Sequence, residues 1–236
     1  MFRLFRWAAL ALAVTAALLP ARAEEIRGYA KDGGYQYVSL GSYPQGALGE
    51  RSAVVWRVLE NREGTLYVMS DRILDVRRID GDQWNYRGWR SSELYPWLNG
   101  DMLEALFSEE ERGALHEDAE LGRLSLPSAE DLKNPAYGFA GDKSRQLVGT
   151  DYSLAQGLYR YSGRSYSPVW TRTPSQKKHA HRSTKSGGKI GFIGVESDDI
   201  GLIPVAWILE EKVSIVSGEG SAASPFVLKV KEGNRE

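Results

Sequence analysis

The sequence predicts an α+β domain of mixed short strands, with two or more central helices and long loops. Three observations predict it. Runs of β-branched and aromatic residues occupy both ends of the chain, capped helical segments lie between them, and no internal repeat or low-complexity linker divides the whole. The chain is therefore read as a leader at 1–23 followed by a single domain at 24–236. The latter, about 210 residues, is long enough to bury a sizeable core.

The leader opens with Arg3 and Arg6, continues through an apolar run from Ala8 to Leu19, and ends on Ala21-Arg22-Ala23. That is the layout of a secretory signal peptide. The run is shorter than the ~20 residues a membrane span needs, and no later segment is apolar enough for one. The alternative is an uncleaved anchor. With a cleaved leader the mature chain is periplasmic or secreted.

Tyr35, Tyr37 and Leu40 alternate before Pro44 and Gly46, which reads as a strand and a turn. Ala53–Glu60 and Thr65–Ser70 read as a hairpin joined through Asn61–Gly64. In the centre, Ser91-Ser92 offers a hydroxyl cap to a short helix over ELYPWLNG. Asp101–Phe107 then places Met102, Leu103, Leu106 and Phe107 on one helical face. Ser108 and Glu111 form a capping box, and a further short helix begins at Ser128–Asp131 after Pro127. Residues 101–131 hold ten acids against Arg112 and Arg123, a solvated acidic helical face.

From Tyr152 to Val195 the balance inverts: no Asp or Glu occurs among eight Lys or Arg and two His. QGLYRYSGRSYSP reads as surface loop. Val169–Arg172, Lys189–Val195 and Leu202–Leu209 read as strands, with Gly187-Gly188 as the turn before the second. Lys212–Val216 and Phe226–Val230 close the chain around a loop of small residues.

Removing Arg3, Arg6 and Arg22 from 30 basic residues leaves 27 against 31 acidic ones. A mature chain of net negative charge argues against a dedicated nucleic-acid binder. The absence of cysteine removes disulfides, thiol nucleophiles, thiolate metal sites and lipobox acylation.

Five segments in order resemble a bacterial family of domains of unknown function, the DUF6273 type. They are Val38–Gln45 followed by Val55–Leu59, Trp89–Asn99, Leu124–Ser128, Val169–Pro174 (VWTRTP) and Gly201–Ala206 (GLIPVA). They span about Tyr35 to Leu209. The resemblance implies a C-type-lectin-like fold, similar also to the formylglycine-generating enzymes. The enzyme activity does not carry over, because thiol-dependent oxidation needs cysteine. The last box departs from the family at Ile203, where arginine is usual; any ion pair that arginine makes is lost or replaced here.

His179-Ala-His181 places two imidazoles two positions apart, but zinc wants three or four ligands. The only other histidine is His116, and Lys177, Lys178, Arg182 and Lys185 repel a cation. The segment therefore reads as a mobile basic loop, and Ser175–Gly188 as a glycine-closed hairpin tip without metal. No G-x-S-x-G elbow or G-x-x-x-x-G-K-[ST] loop is present. No catalytic constellation is assigned. Glu196, Asp198 and Asp199 leave calcium as the one cofactor still open.

The aromatics suggest function. Trp84, Tyr86 and Trp89 sit in the polar segment GDQWNYRGWRSS; Tyr159, Tyr161 and Tyr166 accompany Arg160 and Arg164. Aromatic faces beside arginine and asparagine suit sugar or peptide recognition. Trp97, Trp170 and Trp207 read as core. The candidate ligand-binding set is Trp84, Tyr86, Trp89, Tyr159, Arg160, Tyr161, Arg164 and Arg172. The leading reading is an exported, non-enzymatic binding module for a glycan, peptide or envelope component, with loops 80–90 and 157–186 as its ligand surface. One alternative is an enzyme acting on envelope polymers through Asp198 or Asp199. Another is an assembly protein joining the basic 157–189 stretch to an acidic partner or to the acidic 101–131 face of a second copy.

Overall fold

Alternating burial along the central strands organises the molecule. The computed structural model describes residues 25–177 and 179–232; the predicted leader at 1–23 and Lys178 of the basic stretch lie outside the described residues. The chain runs through β1 (Tyr37–Pro44), β2 (Arg51–Arg62), β3 (Thr65–Ser70) and β4 (Asp75–Val76) before its helical segment. After it come β5 (Leu124–Ser125), β6 (Trp170–Pro174), β7 (Ala180–Thr184) and β8 (Ile190–Gly194). The chain ends with β9 (Gly201–Leu202), β10 (Val205–Leu209), β11 (Val213–Ser217) and β12 (Phe226–Val230).

Seven strands form the main sheet in the order β11-β12-β1-β2-β3-β10-β5, antiparallel except where β12 returns parallel to β1. The predicted β2–β3 hairpin is present and tighter than expected. Its turn is only Glu63-Gly64, both at positive φ (51° and 79°), as a two-residue turn matched to strand twist requires. Both faces of the sheet are covered. On one, Val54, Trp56, Val58, Leu66, Val68, Ala206 and Ile208 join the helical residues; on the other, Leu59, Tyr67, Met69, Ile203 and Val205 pack under Leu132, Phe139, Leu147 and Val169. The period of two thus divides each central strand between two cores. Trp56 is fully buried, stacks on Phe107 at 5.8 Å and donates its indole N–H to the Leu40 carbonyl at 2.9 Å.

The helical segment comprises α1 (Leu94–Trp97), a π turn at Leu98–Met102 and α2 (Leu103–Leu106). Ser92 Oγ accepts the Tyr95 N–H at 3.2 Å, the predicted hydroxyl cap. Leu94, Leu98, Met102, Leu103 and Leu106 are buried, so one stripe seals the sheet. The segment closes against β1 at Gly41, whose φ is +71° and where a Cβ would meet the Leu106 carbonyl at 2.6 Å. Asn99 fastens the π turn to the sheet edge. Its Oδ1 accepts the N–H groups of Arg123 (2.9 Å) and Leu124 (3.1 Å), and its Nδ2 donates to the Leu124 carbonyl at 2.9 Å. Asn99→Ala strips partners from these half-buried groups. Urea unfolding is expected to show a loss of about 2 kcal/mol.

The capping box at Ser108 and Glu111 is present, opening α3 (Glu109–Arg112). The acidic stretch 101–131 corrects one expectation: beyond Arg112 it is loop, the short strand β5 and a 3-10 turn at Asp131–Lys133, not a continuing helical face. Gly113, Gly122 and the β5 pairing to β10 end the helical pattern there. Asp131 is not solvated either, as it pairs with Arg172 at 3.0 Å and accepts the Tyr67 hydroxyl at 2.8 Å. Further on, α4 (Asp151–Ala155) is capped by Thr150.

Two smaller sheets complete the domain, β4-β9 and β6-β7-β8. No helix among the described residues is long and apolar enough to cross a membrane.

Candidate functional site

Among the described residues of the basic stretch Ser175–Gly188, a paired strand stands where a hairpin tip was expected. Ala180–Thr184 is β7, the central strand of the three-stranded sheet, and His181, Ser183 and Thr184 are buried. The glycine turn is pinned: Arg145 Nε donates to the Gly188 carbonyl at 2.7 Å, Gln146 Nε2 to the Gly187 carbonyl at 3.1 Å, and Gly187 N–H to the Tyr166 hydroxyl at 2.9 Å. At Gly188 a Cβ would meet the Asp142 carbonyl at 1.9 Å, so glycine is required. The basic side chains masked this, because strand pairing is set by backbone and by the inward-facing His181 and Ser183 rather than by charge.

Between this sheet and residues 84–88 lies an open cleft of about 380 Å³. One wall is Trp84, Tyr86, Arg87 and Gly88; the other is Pro174, Ser175, Gln176, Lys177, His179 and Ala180. The first wall is shaped by local hydrogen bonds. Asp82 accepts the N–H groups of Trp84 (3.0 Å) and Asn85 (3.2 Å) and the Asn85 side chain (2.6 Å). These donors, led by the Asn85 side chain, hold the Asp82 carboxyl below its ordinary range. Arg87 Nη1 closes the turn on the carbonyls of Trp84 (2.9 Å) and Tyr86 (3.1 Å). Trp84 is left 67% exposed at the rim.

The two histidines fasten one wall to the other. Trp84 and Tyr86 are two residues apart, as are His179 and His181, and the pairs meet in register. The His179 ring lies 4.5 Å from that of Trp84 and its Nδ1 hydrogen-bonds the Gln83 carbonyl. The Tyr86 hydroxyl lies 2.6 Å from His181 Nδ1. The imidazoles therefore serve separate contacts. His181 is fully buried, with the ring of Trp170 at 6.1 Å and that of Trp89 at 6.3 Å.

Burial pushes the His181 pKa down to about 4, against a smaller opposing pull from the backbone at Thr171 and Arg172. The ring is therefore neutral at physiological pH. Burial, and less so the Asp80 carboxylate, raises the Tyr86 hydroxyl above its ordinary range, so it keeps its proton. We assign Tyr86 as donor to Nδ1, which puts the ring proton on Nε2. No acceptor among the described residues meets Nε2 in hydrogen-bonding geometry, despite the nearby backbone.

The predicted site residues separate into three places. Trp84 and Tyr86 line the cleft. Trp89 is only 7% exposed and packs on Tyr95 and His181, so its indole belongs to the core rather than to a ligand face. Arg172 is turned inward to Asp131 and the Leu126 carbonyl (2.6 Å), where a bulge in β6 directs it. Tyr159, Arg160, Tyr161 and Arg164 form a different surface, where the tyrosine rings lie 5.2 Å apart and Tyr161 lies 5.4 Å from Tyr166. None of these four lines the cleft. Of the tryptophans read as core, Trp170 is fully buried, while Trp97 and Trp207 are half-buried.

Arg87, Lys177 and His179 are cleft residues outside the candidate set. The matched spacing of W-x-Y and H-x-H was the available signal. Asp198 is exposed and lies with Asp199 on a bend between β8 and β9, outside the cleft. Among the described residues, no group of three or more His, Asp or Glu side chains is gathered as a metal would need.

A second cleft of about 320 Å³ has Tyr67 and Trp207 in its lining, with rings stacked at 4.9 Å, beside Glu60, Glu63, His116 and Asp118. Comparison with protein-family models, with curated proteins and with solved structures found no match to this chain.

Proposed function

We propose that this protein is an exported, non-enzymatic binding module of the DUF6273 type with a C-type-lectin-like fold, and that its ligand sits between residues 84–88 and 174–180. The carrying observation is the cleft itself. A two-thirds exposed tryptophan stands at its rim, and its walls are locked by the His179 and His181 contacts. The volume is at the low end of the range for small-ligand pockets, about 300–1,000 Å³. Rigid aromatic area of this kind gives contact at low entropic cost. The ordered segment resemblance and the leader at 1–23 support the class and the export.

The test is Trp84→Ala in glycan-array and envelope-fraction binding. Losing the ring is expected to weaken binding about tenfold or more, with an unchanged circular dichroism spectrum. Saturable binding that is indifferent to Trp84→Ala would place the ligand elsewhere.

A further inference from the structure

The charge lining the cleft selects among ligands. Arg87, Lys177 and His179 line it, and no carboxylate among the described residues does. Asp80 and Asp82, the acids of that loop, are turned to backbone N–H groups of residues 82, 84, 85 and 93. Lys177 is held near the rim by its position 4.4 Å over the Phe192 ring. Among the described residues Arg87 places one terminal nitrogen on backbone carbonyls and feels the Asp82 carboxylate nearby, and its remaining N–H donors can turn to a bound anion. Ser175 and Gln176 add uncharged polar groups to the same wall.

We infer that the cleft binds an acidic saccharide: a sugar ring laid against Trp84, its hydroxyls toward Ser175 and Gln176, and its carboxylate between Arg87 and Lys177. This inference rests on the binding-module reading above and narrows its ligand. A sugar ring matches the lining because it offers both an apolar C–H face for the indole and a rim of hydroxyls. A carboxylate matches because Arg87 and Lys177 are in the lining while Asp80 and Asp82 lie behind it on backbone donors, an arrangement that favours an anion and penalises a cationic ligand.

The experiment uses the mature chain on an array carrying uronic-acid oligosaccharides, their uncharged counterparts, and glutamate-rich peptides. Uronic-acid oligosaccharides are expected to bind at least tenfold tighter than the uncharged ones. Lys177→Gln and Arg87→Gln are each expected to reduce that preference several-fold, and raised salt to narrow it. Lys177 is exposed, and its variant tests charge without disturbing the fold. Equal binding of charged and uncharged sugars, still lost in Trp84→Ala, overturns the acidic-ligand inference and leaves the cleft as the binding site. Glutamate-rich peptides binding as well as the sugars overturns the saccharide assignment. Absence of binding by every class overturns this inference, while retention of an envelope component that Trp84→Ala abolishes would still uphold the module.

Discussion

Trp170→Ala is expected to cost about 4 kcal/mol of folding stability. The side chain is fully buried and donates its indole N–H to the Arg77 carbonyl at 2.9 Å. Its removal leaves a cavity where the three-stranded sheet meets the main core and strands that carbonyl. Trp170→Phe retains most of the apolar volume but not the donor, and should lose roughly half as much. Urea unfolding with a constant m-value measures both. If Trp170→Ala loses less than about 1 kcal/mol, the sheet that carries one wall of the cleft is not held by this residue.

The second large effect is acid sensitivity centred on His181. Its folded pKa of about 4 lies below the unfolded value of 6.5, so the unfolded chain takes up the proton first. The stabilisation is complete above pH 6.5 and is lost as pH falls toward 4. The shift corresponds to about 3 kcal/mol over that interval. Asp75 works in the opposite sense: burial raises its pKa despite the Tyr43 hydrogen bond, so its protonation favours the folded state. Comparing the protein with His181→Gln isolates the histidine term. The variant is expected to be less stable at pH 7 and to show a shallower decline between pH 6.5 and 4. A decline of equal slope in both would mean that His181 is already solvated in the folded state.

The strand pattern was legible because apolar periodicity follows from burial. The β-branched and aromatic runs at Ala53–Glu60 and Thr65–Ser70 marked the strands, while the division of Val54, Trp56 and Val58 to one core and of Tyr67 and Met69 to the other came from the tertiary packing. The caps at Ser92 and Ser108 were legible because each is a local hydrogen bond. The strand at Ala180–Thr184 was not legible. Its neighbours β6 and β8 supply its pairing, and a basic stretch with small residues between carries little periodicity of its own.

The cleft was half legible. Trp84 and Tyr86 were conspicuous as aromatics in polar surroundings, but their partnership with His179 and His181 spans 95 residues and rests on tertiary register. Arg172 and Trp89 misled for the opposite reason. Residues of types common in binding sites also pair with half-buried carboxylates and fill cores, and only the Asp131 pairing and the burial of Trp89 distinguish these two.

The proposed ligand site lies between residues 84–88 and the wall formed by Pro174–Lys177, His179 and Ala180. The most direct measurement is a two-dimensional amide and indole NMR titration with the tightest-binding carboxylated oligosaccharide from the array. The Trp84 indole resonance is assigned by its absence in Trp84→Phe. Saturable shifts at that indole and at amides of both walls are predicted, with the Tyr159–Arg164 amides unmoved. Shifts confined to Tyr159–Arg164, or to the cleft around Trp207 and His116, would contradict the account.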